Sequence, residues 1–310
     1  MTIQQLKYII ALDDERHYVR AAKRSNVSQP TLTMQVKKLE EELGILLFER
    51  KTKPLTPTSH GNQIISKARQ ILAEVQTLYD FANDEYANLG GEFVLGIIPT
   101  ISSSMLPMLA PALEKALPGT KWEVREMQTS EIIKGIVDRT IDMAILSTPL
   151  NEKDIRELPL YSERFLFYAP KDHHLHSKKG IQASDVQLSD LLLLEEGHCF
   201  REQMLNICGS RGQSPKTMSL TSGNLDTLKR LVQTGMGTTL IPELAVSKED
   251  EPFTSPFKEP SPAREIALVC HNHFPREALL SKLSELIKNV LPPTISSQDN
   301  TFRVEWRRRV

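Results

Sequence analysis

From Ser59 to about Asn88 nothing in the sequence breaks a helix except Gly61, which falls in the first turn. At 1.5 Å per residue, about 30 residues span about 45 Å, too long for a 60-residue domain alone. Ile64, Ala68, Ile71, Val75, Leu78 and Ala82 recur within it at spacings of 4, 3, 4, 3 and 4, the a/d seam of a coiled coil. A helix packed only on its own domain is the alternative. The length favours a homodimer through residues 59–88, with Leu89-Gly90-Gly91 as the hinge. The helix thus splits the 310-residue chain into a small leading part and a large trailing part.

In the leading part, Leu6, Ile9, Ile10 and Leu12 give residues 4–12 a helical stripe, and residues 18–25 form a second helix. Asn26, Val27 and Ser28 make a short turn. Ser28 is suited to N-cap a third helix, with Pro30 in its first turn, running to about Leu43 and ended by Gly44. Leu32, Val36, Leu39 and Leu43 form its buried stripe. The opposite side offers Gln29, Thr31, Thr33, Gln35 and Lys37, short polar groups suited to base edges and phosphates. A short helix, a tight turn and a polar-faced second helix describe a helix-turn-helix. Residues 46–57, with Arg50, Lys51 and Lys53, read as a β-wing carrying more basic groups. The net charge is only −1, but Arg16, Arg20, Lys23, Arg24, Lys37 and Lys38 occupy a stretch without acids, flanked by Asp13–Glu15 and Glu40–Glu42. Such a block either attracts phosphate or is a solvated helix face, and charge alone does not decide.

Beyond the hinge the pattern alternates. Phe93–Ile98, Trp122–Met127 and Ile141–Leu146 read as strands separated by helices at Met105–Leu117 and Ile132–Val137, which predicts a parallel α/β architecture. Phe165–Tyr168, Leu191–Leu194, Leu225–Val232 and Thr238–Ile241 continue it. Residues 247–262, with four prolines, read as a surface loop before a strand at Ile266–Cys270 and a last helix at Ala278–Val290. Residues 291–310 look frayed, with a basic end at Arg307–Arg309. The expected division is 1–58, 59–90, 91–292 and 293–310.

In open parallel sheets, ligands bind outside the carboxyl ends of the strands, where helix N-termini present free amides. Thr100, Thr129 and the His198-Cys199 pair fall there, although each threonine taken singly is better explained as an N-cap. Cys199, between His198 and Arg201 at a helix start, has the neighbours that lower a thiol pKa, with Glu195, Glu196 and Glu202 opposing. An inert buried cysteine is the plain alternative. Cys208, nine residues on, tips the balance as a resolving thiol for a sulfenic acid. Cys270 lies in an apolar strand and reads as buried and inert.

Three cysteines are too few for a secreted disulfide framework, and Asp13, Asp14 and Glu15 interrupt the N-terminus where a signal peptide would still be apolar. No apolar run is long enough for a membrane span, so a cytoplasmic location is expected. HExxH, Cys/His zinc spacing, P-loop, GxGxxG and GxSxG patterns are missing, so no metal and no cofactor are expected.

Residues 1–60 resemble the winged helix-turn-helix of LysR-type transcriptional regulators, most specifically in AAKRSNVSQPTLTMQVKKLEEELGILLFER. The remainder is similar to that family's two-subdomain, periplasmic-binding-protein-like α/β effector domain. GIIPT at 96–100, MQTSE at 127–131, LLLLEEGHCFREQMLNIC at 191–208 and TGMGTTLIPELAV resemble the family's peroxide-sensing subgroup. The resemblance covers about residues 1–290. It implies that Cys199 reacts with hydrogen peroxide, that Cys208 resolves it as a disulfide, and that Thr100, Thr129, His198 and Arg264 line the peroxide pocket. It also implies double-stranded DNA bound through Ser28, Gln29, Pro30, Thr31, Thr33, Gln35, Lys37 and Arg50, a homodimer or homotetramer, and RNA polymerase as a further partner. The chain then reads as a regulator rather than an enzyme. One rival is a LysR-type regulator sensing a small organic anion; another is a thiol peroxidase carrying a DNA-binding domain.

Overall fold

The structure, a computed structural model, describes residues 1–49, 54–82, 89–196, 198–208, 221–222, 224–296 and 300–305. They form two compact units, Met1–Asn88 with Val137–Thr140, and Leu89–Ile136 with Ile141–Val310.

The first unit opens with α1 (Ile3–Glu15), α2 (Tyr18–Arg24) and α3 (Gln29–Leu43). The ends are set by the residues that sequence singles out. The Ser28 hydroxyl accepts the Thr31 N–H at 3.3 Å, and Gly44 closes α3 at φ 70°, where a side chain would be strained. Leu32, Val36 and Leu39 of α3 pack on Leu6, Ile9 and Leu12 of α1 and on Ala21 of α2. The wing is a short antiparallel pair, β1 (Phe48–Glu49) with β2 (Thr56–Pro57). Arg50, Lys51 and Lys53 lie outside the described residues.

The long helix is α4 (Ser59–Ala82). Thr58 caps it by accepting the Gly61 N–H at 2.8 Å, and a Cβ on Gly61 would come within 2.0 Å of the Leu47 carbonyl oxygen, so only glycine allows this approach. The 4-3 seam divides. Ile64 and Ala68 pack into the unit's own core beside Ile65 and Leu72, whereas Ile71 and Leu78 remain 42% and 69% exposed. The free part of the seam therefore begins at Ile71.

The basic block is also less free than its composition suggests. Arg16 pairs with Asp13 at 2.7 Å, Arg24 with Asp14 at 3.0 Å, and Arg20 with Glu15 at 3.4 Å. Acids that flank the block in sequence fold back onto it.

The second unit contains β3 (Gly91–Ile97), α5 (Pro99–Ala116), β4 (Thr120–Glu126), α6 (Thr129–Val137), β5 (Met143–Thr148), β6 (Ile155–Tyr168), β7 (Leu193–Leu194), α7 (Cys199–Cys208), β8 (Thr221–Ser222), α8 (Leu225–Gln233), β9 (Thr239–Pro242), β10 (Thr254–Pro256), β11 (Ser261–His271), α9 (Glu277–Val290), α10 (Pro293–Ser296) and β12 (Thr301–Arg303). The main sheet runs β10-β6-β11-β5-β3-β4, with β12 on β11 and β9 on β6. The expectation of a parallel sheet holds for β4-β3-β5, whose crossovers are helices, but β11 is antiparallel to both β5 and β6. The sheet is mixed because β11 arrives from more than 100 residues away and fills the gap between those two strands.

Two hydrophobic cores follow, one around β3, β5 and α5, the other around Phe165, Phe167, Leu240 and α7. The long strand β6 contributes to both, Leu160 and Tyr161 to the first and Phe165 and Phe167 to the second, joining two α/β subdomains. A Cβ on Gly237 would meet the Asp190 carbonyl oxygen at 2.5 Å, so this glycine lets Thr238 exchange backbone hydrogen bonds with Asp190 and Leu192 at 2.8 and 2.7 Å. That contact anchors the segment leading to α7.

Leu89, Gly90 and Gly91, the expected hinge, bond within this unit: their carbonyls or amide meet Thr120 Oγ1, Arg276 and Gly119. The expected fraying after residue 291 does not extend to residues 300–305, where β12 pairs with β11 and Val304 is buried in the second core. Among the described residues no helix is long and apolar enough to cross a membrane.

Candidate functional site

Cys199 is the first residue of α7 and lies where the two cores of the second unit meet. Its own side chain belongs to the first core, while Phe200, Met204 and Ile207 pack into the second. A space of about 170 Å³ adjoins it, lined by Ile98, Pro99, Thr100, Gln128, Thr129, His198, Cys199 and Phe200. These residues come from the N-terminal ends of α5, α6 and α7, three positive helix ends facing one point. The space is too finely divided to admit a free water, so a ligand enters only as side chains move.

Thr100, Thr129, His198 and Arg264, named from separate segments of sequence, are all buried around this point. Neither threonine caps its helix. The cap of α5 is Ile98, without a side-chain hydrogen bond. α6 begins on the Gln128 carbonyl, which accepts the Glu131 and Ile132 N–H groups, while the Gln128 N–H donates to the Glu131 carboxylate at 3.0 Å. Thr129 Oγ1 is buried with no oxygen or nitrogen partner. The group it acts on is the Cys199 sulfur, whose anion it favours.

Arg264 Nη1 donates to Thr100 Oγ1 at 2.8 Å and Nη2 to the Thr100 carbonyl at 3.1 Å. Its Nε donates to Glu163 Oε1 at 2.8 Å, and its guanidinium stacks over Phe200 at 5.0 Å. Arg264 and Glu163 face each other in the antiparallel register of β11 and β6, which is how a fully buried ion pair is assembled across 101 residues. Burial pushes the Glu163 carboxyl up from its ordinary value, opposed by Arg264 and by the Leu244 N–H at 3.2 Å.

Burial also pushes the Cys199 thiol up; Thr129, the Arg264 charge and the backbone N–H groups of Phe200 and Cys199 pull it back. This corrects the sequence expectation about which neighbours matter. Burial lowers the His198 pKa, so the imidazole is neutral at neutral pH, and Arg201 Nη1 is committed to the Leu194 carbonyl at 2.7 Å. The cation acting on the sulfur is Arg264, from a distant strand.

Cys208 ends α7, and burial alone pushes its thiol up to about 12. None of the three cysteines is in a disulfide, and Cys270 is fully buried in β11. Sequence reasoning did not find Glu163, Phe200 or Gln128; a lone glutamate inside the apolar strand around Phe165 was the available sign of a buried cation partner. Among the described residues no group of three or more His, Cys, Asp or Glu side chains is placed to hold a metal.

On α3, Gln29, Pro30, Thr33 and Lys37 are exposed. Ser28 and Thr31 share a hydroxyl hydrogen bond of 2.8 Å at the cap, and Gln35 accepts from Gln5 at 3.2 Å, so these three also hold the helix in place.

Residues 3–62 match the family described as "Bacterial regulatory helix-turn-helix protein, lysR family", and residues 87–292 match "LysR substrate binding domain". The chain belongs to the LysR family. A relative of this LysR-family chain, the hydrogen peroxide-inducible genes activator of Dickeya chrysanthemi, is 34% identical over 291 residues, covering 93% of this chain and 95% of the relative. Among solved structures, a Cys-to-Asp variant of full-length OxyR from Pseudomonas aeruginosa superposes with a TM-score of 0.81 at 32% identity, covering 93% of this chain and 98% of that one. A Cys-to-Ser variant of Corynebacterium glutamicum OxyR with H2O2 bound gives a TM-score of 0.62 at 27% identity, covering 93% and 92%.

Proposed function

We propose that the chain is a peroxide-responsive transcription regulator whose sensing element is α7 and whose sensing atom is Cys199 Sγ. The observation that carries this is the set of buried polar groups converging on that sulfur, with a Thr129 hydroxyl that has no oxygen or nitrogen partner and the Arg264 guanidinium. Hydrogen peroxide offers two O–H donors and two oxygen acceptors. Thr100, its oxygen already accepting from Arg264, keeps its O–H to donate; Thr129 can donate or accept; neutral His198 does one on each nitrogen.

In the first step the sulfur attacks one peroxide oxygen, an S–O bond forms and the O–O bond breaks. The thiol proton ends on the departing oxygen, giving Cys199 sulfenic acid and one water. Charge developing on that oxygen faces Arg264 and the Thr100 O–H. In the second step the Cys208 sulfur displaces the sulfenic oxygen, which leaves as water, and a disulfide links the two residues. No other oxidant is consumed.

That second step requires a change of backbone. α7 is one continuous helix from Cys199 to Cys208, so nine steps of about 1.5 Å hold the Cα atoms about 13 to 14 Å apart, against the roughly 4.4 to 6.8 Å of a disulfide. The segment between them unwinds. Phe200, Met204 and Ile207 leave their places in the second core, and the movement alters the surfaces through which subunits meet.

In this reading α3 lies in the major groove of double-stranded DNA with Gln29, Pro30, Thr33 and Lys37 toward the duplex. Ser28, Thr31 and Gln35 support it, and Arg50, outside the described residues, is assigned a contact with the DNA backbone. Exposed Ile71 and Leu78 of α4 pair two chains into a homodimer, and dimers join as a homotetramer that meets RNA polymerase in the cytoplasm. The space beside Cys199 is too finely divided to hold even a free water, so an organic effector would need a far larger rearrangement than hydrogen peroxide, which disfavours that rival.

The test is a footprint on DNA recovered by in vitro selection, before and after one equivalent of H2O2. The footprint of the parent changes, while Cys199→Ser binds the same DNA and does not respond. A peroxide response retained in Cys199→Ser overturns the assignment, and repeated peroxide turnover per chain favours a peroxidase.

A further inference from the structure

The LysR match ends at residue 292, yet residues 300–305 are bound on both sides. On one side β12 runs parallel to the start of β11, Val304 N–H donates to the Ala263 carbonyl at 2.8 Å, and Arg303 pairs with Glu265 at 2.9 Å. On the other side this segment meets α7. Gln203 Nε2 donates to the Val304 carbonyl at 2.9 Å, and Asn206 Nδ2 donates to the Glu305 carbonyl at 2.7 Å. Gln203 is fully buried and also donates to Ser147 Oγ on β5 at 3.1 Å. One side chain midway between the two cysteines thus binds α7 to a central strand and to the C-terminal segment.

We propose that Gln203, with Asn206 and residues 300–305, is a latch that keeps α7 helical and sets the rate at which Cys208 closes on oxidised Cys199. Gln203 is a positioning residue. It does not line the space beside Cys199, and it acts on the second step through the helix. The proposal rests on the reading that the two cysteines become linked.

Unwinding that brings the sulfurs together carries Gln203 away from Ser147 and Val304, and Asn206 away from Glu305. The buried Val304 carbonyl then loses its side-chain donor before the new bond exists. Each such hydrogen bond raises the barrier to closure by about tenfold in rate. Formation of the sulfenic acid needs no movement of the helix and is untouched. Once the disulfide forms, water leaves, the latch cannot re-form, and residues 300–305 keep only their contacts with β11, Thr148 and Glu259.

The test uses the full chain as Gln203→Met, which keeps bulk and removes the amide, Asn206→Ala on the exposed bond, and Arg303→Ala, which loosens the segment from the β11 side. Rapid quench with a thiol-blocking reagent and mass spectrometry reads both steps after one equivalent of H2O2. Sulfenic acid formation stays within about twofold of the parent, while closure quickens about tenfold in Gln203→Met and by a smaller factor in the other two. Amide exchange of residues 201–208 in the reduced variants rises. Equal acceleration of both steps, or unchanged closure with unchanged reduced-state exchange, overturns the latch. If the parent forms no link between 199 and 208, the disulfide reading fails instead, and exchange in the reduced variants alone decides the latch: a rise supports it, parent-like exchange overturns it.

Discussion

Replacing Thr129 by valine separates a ligand-positioning hydroxyl from a merely structural one, because the two roles give opposite signs. The hydroxyl is buried with no oxygen or nitrogen partner, and α6 is capped without it. A buried hydroxyl left without a strong acceptor costs about 1–3 kcal/mol, the Cys199 sulfur is only a weak one, and valine keeps the shape while removing the polar atom. The variant should therefore be as stable as the parent or more stable by about 1 kcal/mol, which for a unit of this size is a Tm rise of about 2–4 °C. Oxidation should move the other way. Loss of one hydrogen bond to the peroxide or to the sulfur anion removes about 1.4–2.7 kcal/mol from the transition state, slowing Cys199 oxidation about 10- to 100-fold. The assay pairs calorimetry of the reduced protein with rapid-quench mass spectrometry of the peptide carrying Cys199. A Tm that falls while the oxidation rate stays at the parent value would refute the reasoning and return Thr129 to a structural role.

Aspartate at both Ile71 and Leu78 places charge on the free part of the α4 seam, away from the core formed by Ile65 and Ala68; sedimentation should show monomer, with DNA affinity reduced at unchanged helicity. Arg264→Met leaves the Glu163 carboxyl buried without its partner, a loss of about 3 kcal/mol or about 6–12 °C in Tm, partly recovered by Glu163→Gln in the same chain, which calorimetry checks. The Cys199 thiol is held above its ordinary value and His198 below its own, so between pH 7 and 8.5 the thiolate fraction should rise about tenfold per pH unit without interference from the imidazole. The peroxide rate measured across that range should follow with the same slope, and a plateau near pH 7 would contradict the raised thiol.

The leading unit is legible in sequence because its signals are local. The stripe Leu32, Val36, Leu39, the Ser28 cap and the Gly44 stop all act within a few residues, and the structure keeps all of them. The strand-helix-strand repeats giving β3, β4 and β5 are legible for the same reason. The site is half legible. Thr100, Thr129 and His198-Cys199 each sit at a helix start that sequence marks, but the cation acting on the sulfur is set by the register of β11 on β6, and register across 101 residues leaves no local pattern. Arg264 was reached through resemblance, and Glu163 was not reached. The basic block shows the converse error, since counting charges along the chain misses that Asp13, Asp14 and Glu15 fold onto Arg16, Arg20 and Arg24.

The central claim is that peroxide converts Cys199 and Cys208 from the two ends of one helix into a bonded pair. Peptide mass mapping of the full chain after one equivalent of H2O2, with free thiols blocked before digestion, tests it directly. The account predicts a single linked species joining the peptides that carry 199 and 208, with Cys270 recovered as the blocked thiol and no link in Cys199→Ser. Free Cys208 beside fully oxidised Cys199, or a link to Cys270, would contradict it.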